Sequence, residues 1–253
     1  MSAAGREQPC ALRPQWPLPD RVRALTTLRS GGMSSGPWSS FNLGDQVGDD
    51  PEAVAANRRL LVDHFALPAS PNWLRQVHGR EVVVLPGGGS SPEADAAVTR
   101  EPGVVCAVLT ADCLPVFLGD RQGQAVGIAH AGWRGLAAGV IEAAVEAMDV
   151  APGQLHAWLG PAISQAAFEV GGEVREAMLA EDPGADAAFQ ASGQRWRADL
   201  YRLAARRLES LGVAGVHGGG RCTFSEREAF FSHRREAPCG RMASLIWLEN
   251  EGD

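Results

Sequence analysis

Two residues able to ligate a metal or act as a nucleophilic pair, Cys113 and His130, bracket the segment LPVFLGDRQGQAVGIA. A thiolate with an imidazole suits zinc or copper, and also a cysteine hydrolase in which the imidazole activates the thiol. The segment reads as two apolar runs joined by GDRQGQ, with Asp120 opening the turn and Gly123 supplying a positive φ. Centring that turn between Arg121 and Gln122 places Cys113 directly opposite His130, and opposed Cα atoms stand about 4.5 to 5.5 Å apart, close enough for one metal to take both donors. A lone cysteine after an apolar strand is most often a small buried hydrophobe. The pairing across a hairpin, and the strand-end settings TADC and HAGWRG, argue for a site instead.

A third ligand is needed. His64 lies on a helix near an apolar stripe, His156 alternates within a strand, and His217 sits in a glycine-rich loop, whereas His78, in LRQVHG, directly precedes a strand in a turn-like setting. His78 is therefore the choice. Two imidazoles and a thiolate with an open fourth position form the catalytic arrangement, because structural zinc sites take four protein ligands.

The elements that must position these residues are legible in outline. Asp49 and Asp50 as caps, Pro51 in the first turn, and Val54, Leu61 and Phe65 on one stripe predict a helix. Leu136, Val140, Ile141, Val145 and Met148 predict a second helix over 135–148, and an Asp199 cap with Leu200, Leu203, Leu208 and Leu211 before Gly212 predicts a third. Apolar runs at 81–85, 103–109, 115–118, 125–129, 155–159 and 243–248 read as buried strands. Helices interspersed irregularly with closely spaced strands imply an α/β or α+β class with a mixed sheet and hairpins. No linker divides the 253 residues, so a single domain is expected over 1–253, with its core at about 22–249 and a flexible PGGGSSPE insertion at 86–93.

Composition narrows the chemistry. The apolar fraction of 45% excludes disorder, and a net charge of −7 disfavours nucleic acid or an anionic membrane as partner. The chain has no lysine, so all 23 basic residues are arginines and Schiff-base chemistry and the phosphate-loop lysine are excluded. Five widely spaced cysteines without a CxxC read as free thiols, and neither a secretory h-region nor a membrane-spanning run is present, so the expected location is cytoplasmic.

The ordered motifs TTLRSGGMSSGPWSSFNLGDQVGDDPEAVAANRR, LRQVHG, ADAAVT, TADCLPV, AHAGWRG, LGPAIS, FEVG and CTFSEREAFFSHRR with GRMA run from Thr26 to Ala243. They resemble the YfiH/YlmD laccase-domain family, also called polyphenol oxidase-like or multicopper oxidase-like. The resemblance implies a four-layer αββα sandwich and a metal site of His78, Cys113 and His130. It also implies zinc-dependent purine nucleoside chemistry: phosphorolysis of adenosine, inosine, guanosine and methylthioadenosine, with adenosine deamination as a side activity. Relatives are also described as peptidoglycan-editing amidases acting on UDP-muramoyl amino acids. Departures from the pattern at Gln165, Phe168, Phe224 and His233 bear on substrate detail.

Within that frame, deamination requires an activated water and an acid/base group. Asp112 and Glu169 are the candidates, Asp112 serving equally well to orient a metal-bound histidine, which is the role preferred for it. Phosphorolysis requires guanidinium donors for phosphate, for which Arg29, Arg58 and Arg134 are candidates, with Asn42 and Gln76 for sugar or base. A true multicopper oxidase needs on the order of ten histidines against the six present, although copper at the His₂Cys site is an alternative to zinc. The expected partners are small molecules, namely a purine nucleoside and phosphate, and the expected assembly is a monomer or weak homodimer.

Overall fold

The computed structural model describes residues 7–87 and 89–250. Residue 88 of the expected 86–93 insertion, and residues 1–6 and 251–253 of the expected domain, lie outside the described residues. The first half of the chain forms β1 (Ala11–Leu12), β2 (Val22–Thr27), α1 (Pro51–Phe65), β3 (Val82–Leu85), β4 (Ala96–Thr99), β5 (Cys106–Thr110), β6 (Leu114–Asp120) and β7 (Val126–Ala131). The second half forms α2 (Trp133–Ala138), α3 (Val140–Ala147), β8 (Leu155–Leu159), β9 (Glu169–Val170), α4 (Gly172–Glu181), β10 (Phe189–Ser192), β11 (Arg195–Ala198), α5 (Leu200–Ser210), β12 (Gly215–Gly218), α6 (His233–Glu236) and β13 (Met242–Leu248).

Two sheets make the body, one ordered β1-β2-β13-β5 and the other β12-β8-β6-β7-β4-β3, while β10-β11-β9 forms a small third sheet. The larger sheet is mixed, with β3–β4 and β12–β8 parallel and the remaining pairs antiparallel. Strand alternation dictates the layers, since successive side chains point to opposite faces. In β6, Leu114, Val116 and Leu118 pack against α2, α3, α4 and α5, while Phe117 points into the space between the two sheets. There Phe117 meets Trp158 edge to face, with ring centroids 5.3 Å apart, among Val22, Val108, Ile128 and Ile246. The outer face of the smaller sheet, through Leu25, Ala107 and Leu245, packs against Leu61 of α1. The result is the expected αββα sandwich in a single mixed α/β unit.

The structure corrects several local expectations. The helix expected over 135–148 is broken at Gly139, whose left-handed backbone (φ +86°) ends α2 by donating its N–H to the Gly135 and Leu136 carbonyls and then starts α3. Strands β1, β2, β4, β9, β10, β11 and β12 and helices α4 and α6 lie outside the expected elements, the strands taking their places from their sheet partners and α4 from burial of Val174 and Met178. The hairpin keeps Asp120 and Gly123 in the anticipated turn roles, but its centre lies one position further on, so Pro115, not Cys113, faces His130. The N–H of Gly123 donates to the Asp120 carbonyl at 2.9 Å and that of Gln124 to Asp120 Oδ2 at 3.1 Å, which closes a four-residue loop in place of a two-residue turn. Because the partner shifts by two positions, the face is conserved, and Cys113 still stands on the same side of the sheet as His130.

Replacing Gly139 by alanine puts a Cβ on a left-handed backbone and is expected to lower stability by about 1–2 kcal/mol. Urea denaturation with an unchanged m-value checks it; an unaltered midpoint would show that the break between α2 and α3 is not held by this residue.

Candidate metal centre

Asp95 precedes β4 and faces His130 across the β4–β7 pair, where the His130 N–H donates to the Asp95 carbonyl at 2.7 Å. The Asp95 side chain is fully buried, and a buried carboxylate needs donors on every side. It accepts from the backbone N–H groups of Val77, His78 and Gly79 at 3.1, 3.0 and 2.7 Å, and its Oδ1 lies 2.8 Å from His130 Nδ1. Burial alone would push this carboxyl up, but hydrogen bonds from His130, Gly79 and Val77 hold it below the ordinary carboxylate range. One carboxylate therefore does two things: it folds the turn that carries His78, which has a left-handed backbone (φ 61°), and it orients the imidazole of His130.

With Nδ1 committed to Asp95, His130 presents Nε2 to the site. Cys113 lies one residue before β6, beside Gly132, where a Cβ would come within 2.8 Å of the thiol sulfur. His78 and His130 stand edge to face with centroids 4.7 Å apart, and the donor atoms of His78, Cys113 and His130 all lie within 4.8 Å of one another. Burial pushes the Cys113 thiol up, but the charge of His130 and hydrogen bonds from both histidines outweigh it and bring it to about 6. Burial likewise opposes a charged His130, yet Cys113 and Asp95 push it up to about 9. Two imidazoles, a thiolate and a carboxylate behind one imidazole are the donor chemistry of a transition-metal site, so these residues fit a single metal ion.

The triad opens onto a cavity of about 380 Å³, whose other walls include Leu74, Trp133, Phe168, Ile163 and the loop at 44–47. Of the anticipated ligand-binding residues, Gln76 and Arg134 line it. Gln76, however, has both amide atoms engaged with the Leu109 backbone, at 2.9 and 2.8 Å. Arg29 is absent from the wall and is taken up by Glu236 and the carbonyls of Ser39 and Arg227. Arg58 holds the Leu43 carbonyl and Asp45 and stacks on Trp73, which fastens the 44–47 loop from behind. Asn42, fully buried, spends its amide on Gly44, Asp49 and the Arg241 N–H.

Asp112 lines the cavity without touching either histidine. Its Oδ1 accepts from Thr223 Oγ1 and its Oδ2 from the Arg234 N–H, each at 2.6 Å, so the carboxylate bonded to the His130 imidazole is Asp95 and not Asp112. Glu169 lies on β9, outside the cavity wall, near Arg195. Sequence reasoning missed Asp95, although it stands in ADAAVT, and missed the cavity arginines Arg234 and Arg241 of SHRR and GRMA.

Asp95→Asn is expected to weaken metal binding about 10- to 100-fold in a chelator competition titration. Unchanged affinity would show that His130 is oriented by other means. The thiol lies low and the imidazole high, so at about pH 7.5 the metal-free pair is thiolate with imidazolium, and metal loading is expected to release about one proton, from His130. Release grows below the thiol's value and fades above that of His130; calorimetry in buffers of different ionisation enthalpy reads it, and no release at neutral pH would contradict the ion pair.

Residues 23–249 match the family model for the multi-copper polyphenol oxidoreductase laccase. The chain is 52% identical over 236 residues to the purine nucleoside phosphorylase YfiH of Escherichia coli, covering 93% of this chain and 97% of that one. It is 52% identical over 242 residues to a purine nucleoside phosphorylase of Pseudomonas aeruginosa, with 94% and 98% covered. Among solved structures, a Neisseria meningitidis protein superposes with a TM-score of 0.90 at 48% identity, covering 95% of this chain and 99% of that one. YlmD from Geobacillus stearothermophilus gives 0.86 at 30% identity, with 93% and 94% covered. Sequence and fold agree over nearly the whole chain, which therefore belongs to the multi-copper polyphenol oxidoreductase laccase family that includes YfiH and YlmD.

Proposed function

We propose that the chain is a purine nucleoside phosphorylase acting on adenosine, inosine, guanosine and methylthioadenosine, with zinc held by His78, Cys113 and His130 and adenosine deamination as a side activity. The observation that carries this reading is one cavity that joins the metal donors, backed by Asp95, to aromatic side chains and guanidinium groups. The relatives named purine nucleoside phosphorylase, at 52% identity, support it. Phosphorolysis breaks the bond from ribose C1′ to the purine nitrogen and forms one from C1′ to a phosphate oxygen, the electron pair leaving with the base. Bound zinc would supply Lewis acidity to a substrate atom. The chain's own residues supply the rest: Trp133 and Phe168 offer apolar walls for the purine, and Asp95 keeps the ligand imidazole in its productive tautomer. Only one group of three or more close metal donors exists among the described residues, which suits one ion and not the several coppers of a multicopper oxidase.

A second reading rests on the same atoms. Cys113, His130 and Asp95 also form a nucleophile, base and orienting carboxylate, the arrangement of a cysteine amidase acting on UDP-muramoyl amino acids. The two differ in whether activity follows metal content or thiol alkylation of the metal-free protein.

Zinc-loaded wild type, assayed by liquid chromatography and mass spectrometry, is expected to release adenine and ribose 1-phosphate from adenosine only when phosphate is present. Cys113→Ala is expected to lose at least about 100-fold of that activity. Untouched adenosine with cleavage of UDP-muramoyl-serine would replace the phosphorylase by the amidase.

A further inference from the structure

The cavity carries more positive charge than its metal donors explain. Arg134, Arg234 and Arg241 all line it, and among the described residues none of the three has a carboxylate partner. This stands out in a chain of net charge −7, where at least eleven other arginines among the described residues are ion-paired to acidic side chains. The acidic residues of the wall offset at most one of these three charges: Asp45 is paired with Arg58, and Asp112 gives its carboxylate to the Thr223 hydroxyl and the Arg234 backbone N–H and to no guanidinium.

Each guanidinium is nevertheless held in place. Arg134 lies over the Trp133 ring at 4.5 Å and has no hydrogen-bond partner among the described residues. Arg234 lies over Phe168 at 5.3 Å and gives Nη1 to the Glu169 carbonyl at 2.9 Å. Arg241 gives its Nη1 to the carbonyls of Cys239 and Gly240, at 2.8 and 3.1 Å. Aromatic faces and carbonyl oxygens fix a guanidinium without neutralising it, which leaves forked donors for an oxyanion.

Resting on the phosphorylase reading, we infer that Arg134, Arg234 and Arg241 form the subsite for the tetrahedral oxyanion co-substrate, inorganic phosphate, and that Asp112 is the positioning residue that keeps this subsite in register with the metal centre. Asp112 is adjacent in sequence to the ligand Cys113, and its Oδ2 takes the backbone N–H of Arg234 at 2.6 Å, so one side chain ties the segment bearing an anion-binding arginine to the segment bearing a metal ligand. Its backbone is left-handed (φ 90°), and its carboxylate is taken by Thr223 and Arg234.

The test is titration of the purified protein with inorganic phosphate, followed by calorimetry, for wild type, Arg134→Ala, Arg234→Ala and Asp112→Asn, with the exposed Arg59→Ala on α1 as control. A parallel titration uses adenosine 5′-monophosphate, to separate free phosphate from a phosphate ester. The arginine variants are expected to bind phosphate about 10- to 100-fold more weakly, as loss of a charged hydrogen bond implies. Asp112→Asn should raise the KM for phosphate while leaving metal content and the KM for nucleoside unchanged, whereas a merely structural role would move all three. Equal phosphate affinity in wild type and both arginine variants overturns the subsite. Arginine-dependent binding of the monophosphate but not of free phosphate overturns the assignment to inorganic phosphate. If wild type binds phosphate through Arg134 yet releases no purine, the subsite stands and the phosphorylase reading falls; if purine is released with a phosphate KM indifferent to both arginines, the reading stands and the subsite falls.

Discussion

The buried carboxylate of Asp95 is the interaction on which the rest of the centre depends. Shielded from water, it is satisfied by three backbone N–H groups of the 77–79 turn and by the imidazole of His130. Removing any of these donors would leave part of a buried charge unmatched, so the turn, the strand pair β4–β7 and the orientation of His130 are held together by one group. Two of the three side chains that could hold a metal ion thereby take their places through the fold itself, an arrangement that would lower the reorganisation an incoming ion requires.

The remaining donor owes its place to sheet geometry. Cys113 lies one residue before β6, and because the observed β6–β7 register differs from the expected one by two positions and not one, the faces of the hairpin keep their parity. Gly132 leaves room for its sulfur, since any side chain there would occupy the same space. The sandwich supplies the rigidity behind this. Apolar contacts on both faces of the larger sheet, with α2 to α5 on one side and the smaller sheet on the other, hold the strand ends that carry the site.

Electrostatically, the cavity sets arginines without a carboxylate partner near a centre whose thiol is lowered and whose imidazole is raised by their mutual attraction. In a chain without lysine the long cationic side chains of the cavity are all guanidinium groups, and those of Arg134 and Arg234 lie over Trp133 and Phe168, which does not cancel their charge. The wall loop at 44–47 is fastened from outside the cavity by Arg58 and Asn42, which is why these two residues serve the site without facing it.

The sequence by itself determined the class of the fold, the caps at Asp50 and Asp199, the turn roles of Asp120 and Gly123 and the identity of three residues with metal-donor chemistry. These are local matters: periodicity, capping and donor type depend on neighbours a few positions away. Tertiary structure alone decided that Asp95 lies behind His130, because β4 and β7 are partners with two strands of sequence between them and no hairpin links them. It likewise decided that Arg29, Arg58 and Asn42 are bound up in structural contacts while Arg234 and Arg241 reach the cavity. An arginine in a motif shows its charge but not its partners, and whether it meets a carboxylate, a carbonyl or open space is set by segments distant in the chain.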